Sequence, residues 1–235
     1  MSIITYILLV VAALLLGFGY YASFFIDSKV YVKAFCRAQG KAKRIALTFD
    51  DGPDEVMTDR VLDVLARYHA KAAFFVIGEK ARKHPELVKR MLNEGHIIGS
   101  HSFSHSSFFP FGSRGRIATE LERTRDILKG ISGKTVHLFR PPFGVTNPAI
   151  AAAVRAGGYQ TVGWSLRSFD TCGCISRKRI FNHLMRKLHP GAIVLLHDRC
   201  DKADELLEKF IESIQEKDYE VVGLDELFNI RVYED

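Results

Sequence analysis

The sequence predicts a parallel α/β fold, a distorted and incomplete (β/α)7 barrel, preceded by one N-terminal transmembrane helix. Three observations carry this expectation. Strand-like apolar runs alternate with amphipathic, helix-like segments over about 190 of the 235 residues, the pattern of a parallel sheet wrapped by helices. Residue types that do chemistry collect just after the predicted strands: Asp50-Asp51, His101, Arg140, Asp170 and His197. In barrels and open α/β sheets alike, the C-terminal strand ends form the functional face. Finally, residues 2–26 contain no charged side chain. Seven predicted strands suit an incomplete barrel; an open doubly wound sheet is the alternative.

The uncharged N-terminal run is long enough for a single span, since roughly 20 apolar residues cross a bilayer core. Tyr20, Tyr21, Phe24 and Phe25 sit where an interfacial aromatic belt belongs. A cleaved signal peptide is the rival, but a basic n-region is missing and the apolar run exceeds a usual h-region. A retained anchor over residues 1–27 is therefore expected. A basic juxtamembrane linker over 28–42 and a catalytic domain over 43–235 follow it. Residues 1–44 hold six basic side chains and one acidic one, so they carry +5 of the net +6. With the rest nearly neutral, the basic excess points to anionic lipid headgroups and not to nucleic acid. Lys and Arg just after the span, with none before it, favour a cytoplasmic domain. Four cysteines (Cys36, Cys172, Cys174, Cys200) match no structural zinc spacing and are expected as free thiols, with a bridge from Cys172 or Cys174 to Cys200 as the alternative.

The first strand is expected at 44–49, where Ile45, Leu47 and Phe49 alternate with small or polar residues. It breaks at Gly52-Pro53. A helix over 58–68 follows, with Thr58 as its N-cap. Strand 72–77 ends at Gly78. Helix 85–94 has Pro85 in its first turn and Gly95 beyond its end. Further elements are strand 96–99, helix 117–129, strand 136–139 before Pro141-Pro142, helix 147–156 capped by Asn147, strand 161–164, helix 176–188, the apolar strand 192–196, helix 204–215, strand 219–222 and a helical turn at 224–228.

Asp50 and Asp51 end a strand side by side, so alternation aims them differently and permits different tasks. Two like charges so close require a cation or a shared proton. In His101-Ser-Phe-Ser-His105 the two imidazoles, four apart, reach one cation if the segment turns helically. Two imidazoles and a carboxylate suit zinc or a similar ion and leave room for water and substrate. Arg140, ahead of Pro141-Pro142-Phe143-Gly144, is held on a stiffened loop where it can pair with a carboxylate such as Asp50. His197, where the strand 192–196 breaks, is placed to act as a general acid, and Asp170 is placed to orient an imidazole.

Thr48-Phe-Asp-Asp-Gly-Pro53, His101-Ser-Phe-Ser-His105, Arg140-Pro-Pro-Phe-Gly144, Trp164 to Asp170, and Leu195-Leu-His197 occur in this order. Together they resemble the polysaccharide deacetylases, the carbohydrate esterases with a NodB-homology domain, over roughly residues 43–228. The resemblance implies one divalent ion, most often zinc with cobalt or nickel as alternatives, held by Asp51, His101 and His105. It implies Asp50 as base, Arg140 as the residue holding it, His197 as acid and Asp170 as its support. It further implies the Phe143 N–H as oxyanion donor and Leu195 as a wall of the acetyl pocket. Relatives often carry Asp-Trp near Asp170 and Tyr at Phe143; this chain has neither.

The expected activity is metal-dependent removal of acetyl groups from N-acetylated sugars of peptidoglycan, a polysaccharide or a lipid-linked saccharide. The expected enzyme is bound to the cell membrane by a single pass and does not act on nucleic acid. Family habit favours an extracytoplasmic domain, against the basic linker. Alternatives are a non-catalytic carbohydrate-binding module on the same fold, an O-acetyl esterase, and a hydrolase of another bond; a two-metal phosphoesterase would need more ligands than Asp51, His101 and His105 supply. Phe103, Phe108, Phe109 and Phe111, in the loop 102–115, form either an apolar lip for substrate or packing beneath the loop.

Overall fold

The computed structural model describes residues 2–234. Helix α1 (Ile3–Phe24) projects from the fold, exposed over most of its length, with Ala22 buried near its C-terminal end. The domain then runs β1 (Ala34–Phe35), β2 (Arg44–Asp50), α2 (Met57–Arg67), β3 (Ala72–Val76), α3 (Gly78–Lys83), α4 (Pro85–Asn93), β4 (Ile97–Ser100) and α5 (Arg114–Ser132). It continues with β5 (Thr135–Val136), β6 (Leu138–Phe139), α6 (Pro148–Ala156), β7 (Gln160–Val162), β8 (Leu166–Arg167), α7 (Arg177–Lys187) and β9 (Ile193–His197). Last come α8 (Ala203–Gln215), β10 (Glu220–Val221), α9 (Leu224–Phe228) and β11 (Tyr233–Glu234).

Nine strands form one curled parallel sheet, an open half-barrel, in the order β1-β7-β6-β4-β3-β2-β9-β8 with β10 beside β2. A period of two sorts side chains between its faces. From β2, Ile45, Leu47 and Phe49 join β3 residues Phe74 and Val76 in the outer core, which packs under α2 and α8 through Leu62, Leu65, Phe210 and Ile214. Ala46, Ala73, Phe75, Leu138 and Ile193 fill the inner face. The same alternation turns Thr48 and Asp50 inward.

All seven expected strands are present, the one at 136–139 divided into β5 and β6, which belong to different sheets. The parallel sheet gains β1 and β8, and β11 pairs with β5 in a small antiparallel sheet of their own. These are two-residue strands, too short for periodicity to register. Helix α3 was not expected either; its six residues carry only one buried apolar side chain, Ala81. Thr58 is not the α2 N-cap. Its hydroxyl accepts from the Asp54 N–H (2.7 Å) and donates to Asp198 Oδ2 (2.6 Å), while Asp54 Oδ1 accepts from the N–H groups of Val56 and Met57. Cys172 and Cys174 are bonded to each other, not free and not bridged to Cys200; Cys36 and Cys200 are free thiols.

Part of the expected linker belongs to the sheet. Ala34 and Phe35 pair with Thr161 and Val162, Arg37 bridges Ala192, and the Ala38 N–H donates to the Gly191 carbonyl at 2.9 Å. The end of α1 is tied down as well. The Thr146 hydroxyl donates to the Ala22 carbonyl (3.1 Å) and the Thr146 N–H to the Ser23 carbonyl (2.9 Å), occupying acceptors that a helix end leaves open. At Gly191, φ is +74° and a Cβ would collide with the Ala38 carbonyl. Gly191→Ala should therefore cost about 2 kcal/mol or more and lower the melting temperature by about 4–8 °C. An unchanged melting curve would contradict the docking of residues 36–38 on the barrel.

Candidate active site

The site lies at the C-terminal ends of β2, β3, β4 and β9. Parallel register sets Asp50 of β2 directly beside His197 of β9, and Thr48 beside Leu195. Immediately after Asp50 the backbone enters the left-handed region at Asp51, with φ of +71°. That turn separates the two adjacent carboxylates.

Asp50 faces the barrel interior and meets Arg140, whose side chain is wholly buried. Arg140 Nη1 donates to Asp50 Oδ1 at 2.7 Å and to Thr48 Oγ1 at 2.9 Å. Its Nη2 and Nε donate to the Gly163 and Val162 carbonyls at 2.8 and 3.2 Å. The guanidinium lies over the Phe75 ring, 4.2 Å from its centroid. Burial pulls the Arg140 pKa below its ordinary value, while the Asp50 charge and hydrogen bond oppose that fall.

Asp51 faces two imidazoles. Its Oδ1 is 3.5 Å from His101 Nε2 and 3.2 Å from His105 Nε2, and its Oδ2 accepts from Arg199 Nε at 2.8 Å. His101 Nδ1 donates to the Arg140 carbonyl at 2.8 Å, which leaves Nε2 facing Asp51. The His101–His105 segment is not helical, contrary to expectation. Ser102 (φ +66°) and His105 (φ +50°) take left-handed conformations, and Ser102 Oγ accepts the His105 N–H at 3.1 Å. This non-helical turn puts the two rings 4.9 Å apart.

Donor atoms of Asp51, His101 and His105 lie within 4.8 Å of one another, the one such three-donor cluster among the described residues. Burial and then the neighbouring His101 charge hold His105 down at about 4, so its ring is neutral at pH 7. Burial would raise the Asp51 pKa, but hydrogen bonding to His101, the charges of both histidines and the Arg199 bond outweigh it and keep this carboxyl ionised. Two imidazoles and one ionised carboxylate, with His101 oriented through Nδ1 and Asp51 through Oδ2, fit a divalent ion of the zinc type.

His197 Nδ1 donates to Asp170 Oδ1 at 2.7 Å, and the His197 N–H to Asp170 Oδ2 at 2.9 Å. The ring thus keeps Nε2 for the cavity. Burial lowers the His197 pKa, but the Asp170 hydrogen bond and charge raise it more, so the net shift is upward. Leu195, Phe143, Trp164 and Arg167 complete a cavity of about 160 Å³ around these groups. Phe143 has φ of +61° and sets its ring 4.8 Å from that of His105. In the neighbouring loop Phe103 and Phe109 are buried as packing, whereas Phe108 and Phe111 are exposed.

The structure therefore brings every expected site residue to one place. Sequence reasoning missed Arg199, Lys80 (whose Nζ donates to the Asp51 carbonyl at 2.7 Å) and Asp198. Asp198 is fully buried against Gly52, where no Cβ would fit, and burial pushes it to about 7. Arg199 and Asp198 follow His197 directly, at the same strand end, and that position was the available signal.

A family model described as polysaccharide deacetylase matches residues 37–162. A peptidoglycan-N-acetylmuramic acid deacetylase of Bacillus subtilis, PdaA, is 36% identical over 197 residues, covering 83% of this chain and 74% of that protein. A peptidoglycan-N-acetylglucosamine deacetylase of Bacillus cereus is 37% identical over 201 residues, covering 80% and 90%. The crystal structure of a peptidoglycan N-acetylglucosamine deacetylase, Bc1960, matches with a TM-score of 0.78 at 30% identity, over 85% of this chain and 94% of that one.

Removing Arg140 would leave Asp50 buried without its cation. Arg140→Met should lower stability by about 3–5 kcal/mol in urea unfolding, the cost of breaking a buried pair from one side. A loss below 1 kcal/mol would contradict the role given to this pair.

Proposed function

This chain belongs to the polysaccharide deacetylase family, and from that premise we propose that it removes acetyl groups from N-acetylated sugars of the peptidoglycan type, releasing acetate and a free amine. One observation carries the reading: a carboxylate and an imidazole, register partners on adjacent strands, flank a three-donor cluster inside one small cavity. The named activities of the relatives support the substrate class.

Asp51, His101 and His105 would hold the divalent ion, zinc by its donor chemistry, which supplies Lewis-acid polarisation to the bound acetamide and water. Asp50, fixed by Arg140, takes the proton of the attacking water as the carbonyl carbon becomes tetrahedral. The Phe143 N–H donates to the developing oxyanion. Asp170 fixes the tautomer of His197, whose Nε2–H protonates the departing nitrogen as the C–N bond breaks. Leu195 and Trp164 wall the acetyl methyl away from bulk water.

The organisation proposed is an anchor over residues 1–27 with a catalytic domain on the extracytoplasmic side. Helix α1 has 22 residues, about 33 Å of helix, and a mean hydropathy of 2.4 over its most apolar stretch. The extracytoplasmic side follows the peptidoglycan relatives. The opposing charge argument weakens because Lys43 and Arg44 pair with Asp218 and Glu226 of the domain.

Full-length protein in detergent should release acetate from N-acetylglucosamine oligomers or peptidoglycan fragments when metal is supplied. A chelator should abolish release, and Asp50→Asn should reduce kcat by about 10²–10⁴-fold. Glycan binding without acetate release would favour the binding-module reading. The pH profile gives a separate check. The carboxylate of Asp170 favours the protonated His197, so kcat/KM should fall only above the raised His197 pKa. Asp170→Asn withdraws that support and should move the alkaline limb to lower pH; an unmoved limb would contradict the assignment.

A further inference from the structure

A second and larger cavity, of about 1080 Å³, opens beside the active site. The two share Trp164 and Arg167, which stand at the boundary between them. One wall is the end of α1, through Phe24 and Phe25. Phe35 and Phe228, with ring centroids 5.0 Å apart, add further apolar lining.

The charge along this groove is one-sided. Lys29, Arg37, Arg167 and Lys187 line it, against the single acid Asp27. Lys43 and Arg44 of the same basic stretch are paired with Asp218 and Glu226, whereas Lys29 and Arg37 have no carboxylate partner among the described residues. Arg167, at the junction with the active site, stacks on Trp164 and Phe169 at 5.9 and 5.2 Å and has no carboxylate partner among the described residues.

The placement selects the ligand. Phe24 and Phe25 continue directly into an apolar helix, and Thr146 ties that helix end to the domain. With α1 in a bilayer, the groove sits at headgroup level, where lipid phosphates lie and aromatic side chains settle. A polar glycan strand would leave the apolar wall unused, and a free phosphate would leave most of the volume empty. An apolar chain running along α1, with a phosphate among the four cations, uses both.

We propose that this groove binds the phosphate and proximal chain of a membrane lipid that carries the N-acetylated sugar, and that the sugar reaches Asp50 and His197 past Trp164 and Arg167. The proposal rests on the deacetylase reading for its chemistry, and on the groove together with the membrane-anchor reading of α1 for its lipid.

The test compares full-length protein acting on N-acetylglucosaminyl phosphoryl-undecaprenol and on a soluble N-acetylglucosamine pentamer, both in detergent micelles. Native mass spectrometry counts bound undecaprenyl phosphate in parallel. The wild type should favour the lipid-linked sugar. Arg37→Glu with Lys187→Glu should lower the ratio of lipid-linked to soluble rates by about tenfold or more and remove the bound undecaprenyl phosphate. Asp50→Asn should keep that lipid while losing acetate release, and undecaprenol, which lacks the phosphate, should not be retained. An unchanged ratio in the double variant, with equal loss on the soluble pentamer, or inorganic phosphate displacing the lipid at millimolar concentration would each overturn the proposal. No acetate from any substrate, with lipid still bound by the wild type and lost in the double variant, would sink the deacetylase reading and leave the groove assignment standing.

Discussion

The buried pair of Arg140 and Asp50 is the constraint on which the rest of the structure depends. A guanidinium with no solvent contact is tolerable only when its donors are matched, and here each nitrogen has a partner: Asp50 and Thr48, then the Val162 and Gly163 carbonyls. Those partners come from β2 and from the end of β7, on opposite sides of the curl. Phe75 of β3 supplies the aromatic surface beneath the charge. One cation thereby ties together strands that lie far apart in the sheet order, and it fixes one oxygen of Asp50. The carbonyl of the same Arg140 accepts from His101 Nδ1. The base and one metal-binding imidazole are therefore positioned by a single residue.

From this follows the division of labour between two adjacent carboxylates. Strand geometry alone would send Asp50 inward and Asp51 outward. The left-handed turn at Asp51, made beneath Gly52 where Asp198 leaves no space for a side chain, instead swings Asp51 over the strand ends toward His101 and His105. Arg199 then occupies the Asp51 oxygen that faces away from the imidazoles. Asp50, Asp51, His101 and His197 are each oriented through the atom they do not use, which is the arrangement that preorganises a site.

Much of this was legible in the sequence, and the reasons are physical. Strands of five to seven residues, such as those ending at Asp50 and His197, announce themselves by alternation, and Gly52-Pro53 marks where the first of them stops. Five short motifs in a fixed order pointed to the site residues, although nothing in the chain spacing alone joins Arg140 to Asp50. Two-residue strands carry no period, so Ala34–Phe35 passed for linker and Leu166–Arg167 for loop. The left-handed conformations of Ser102 and His105 were also hidden, because neither residue is glycine and the strain is stabilised by contacts distant in sequence. Arg199 and Asp198 were overlooked for a different reason: each looks like an ordinary polar residue after a strand until its partner, Asp51 or Gly52, is placed.

The central claim is that Asp51 and not Asp50 belongs to the metal. Zinc titration by calorimetry on Asp51→Asn and Asp50→Asn, side by side with the wild type, tests it most directly. The account predicts one site per chain, an affinity weakened by about 100-fold or more in Asp51→Asn, and an affinity within a few-fold of wild type in Asp50→Asn. Equal losses in the two variants, or a greater loss in Asp50→Asn, would contradict it.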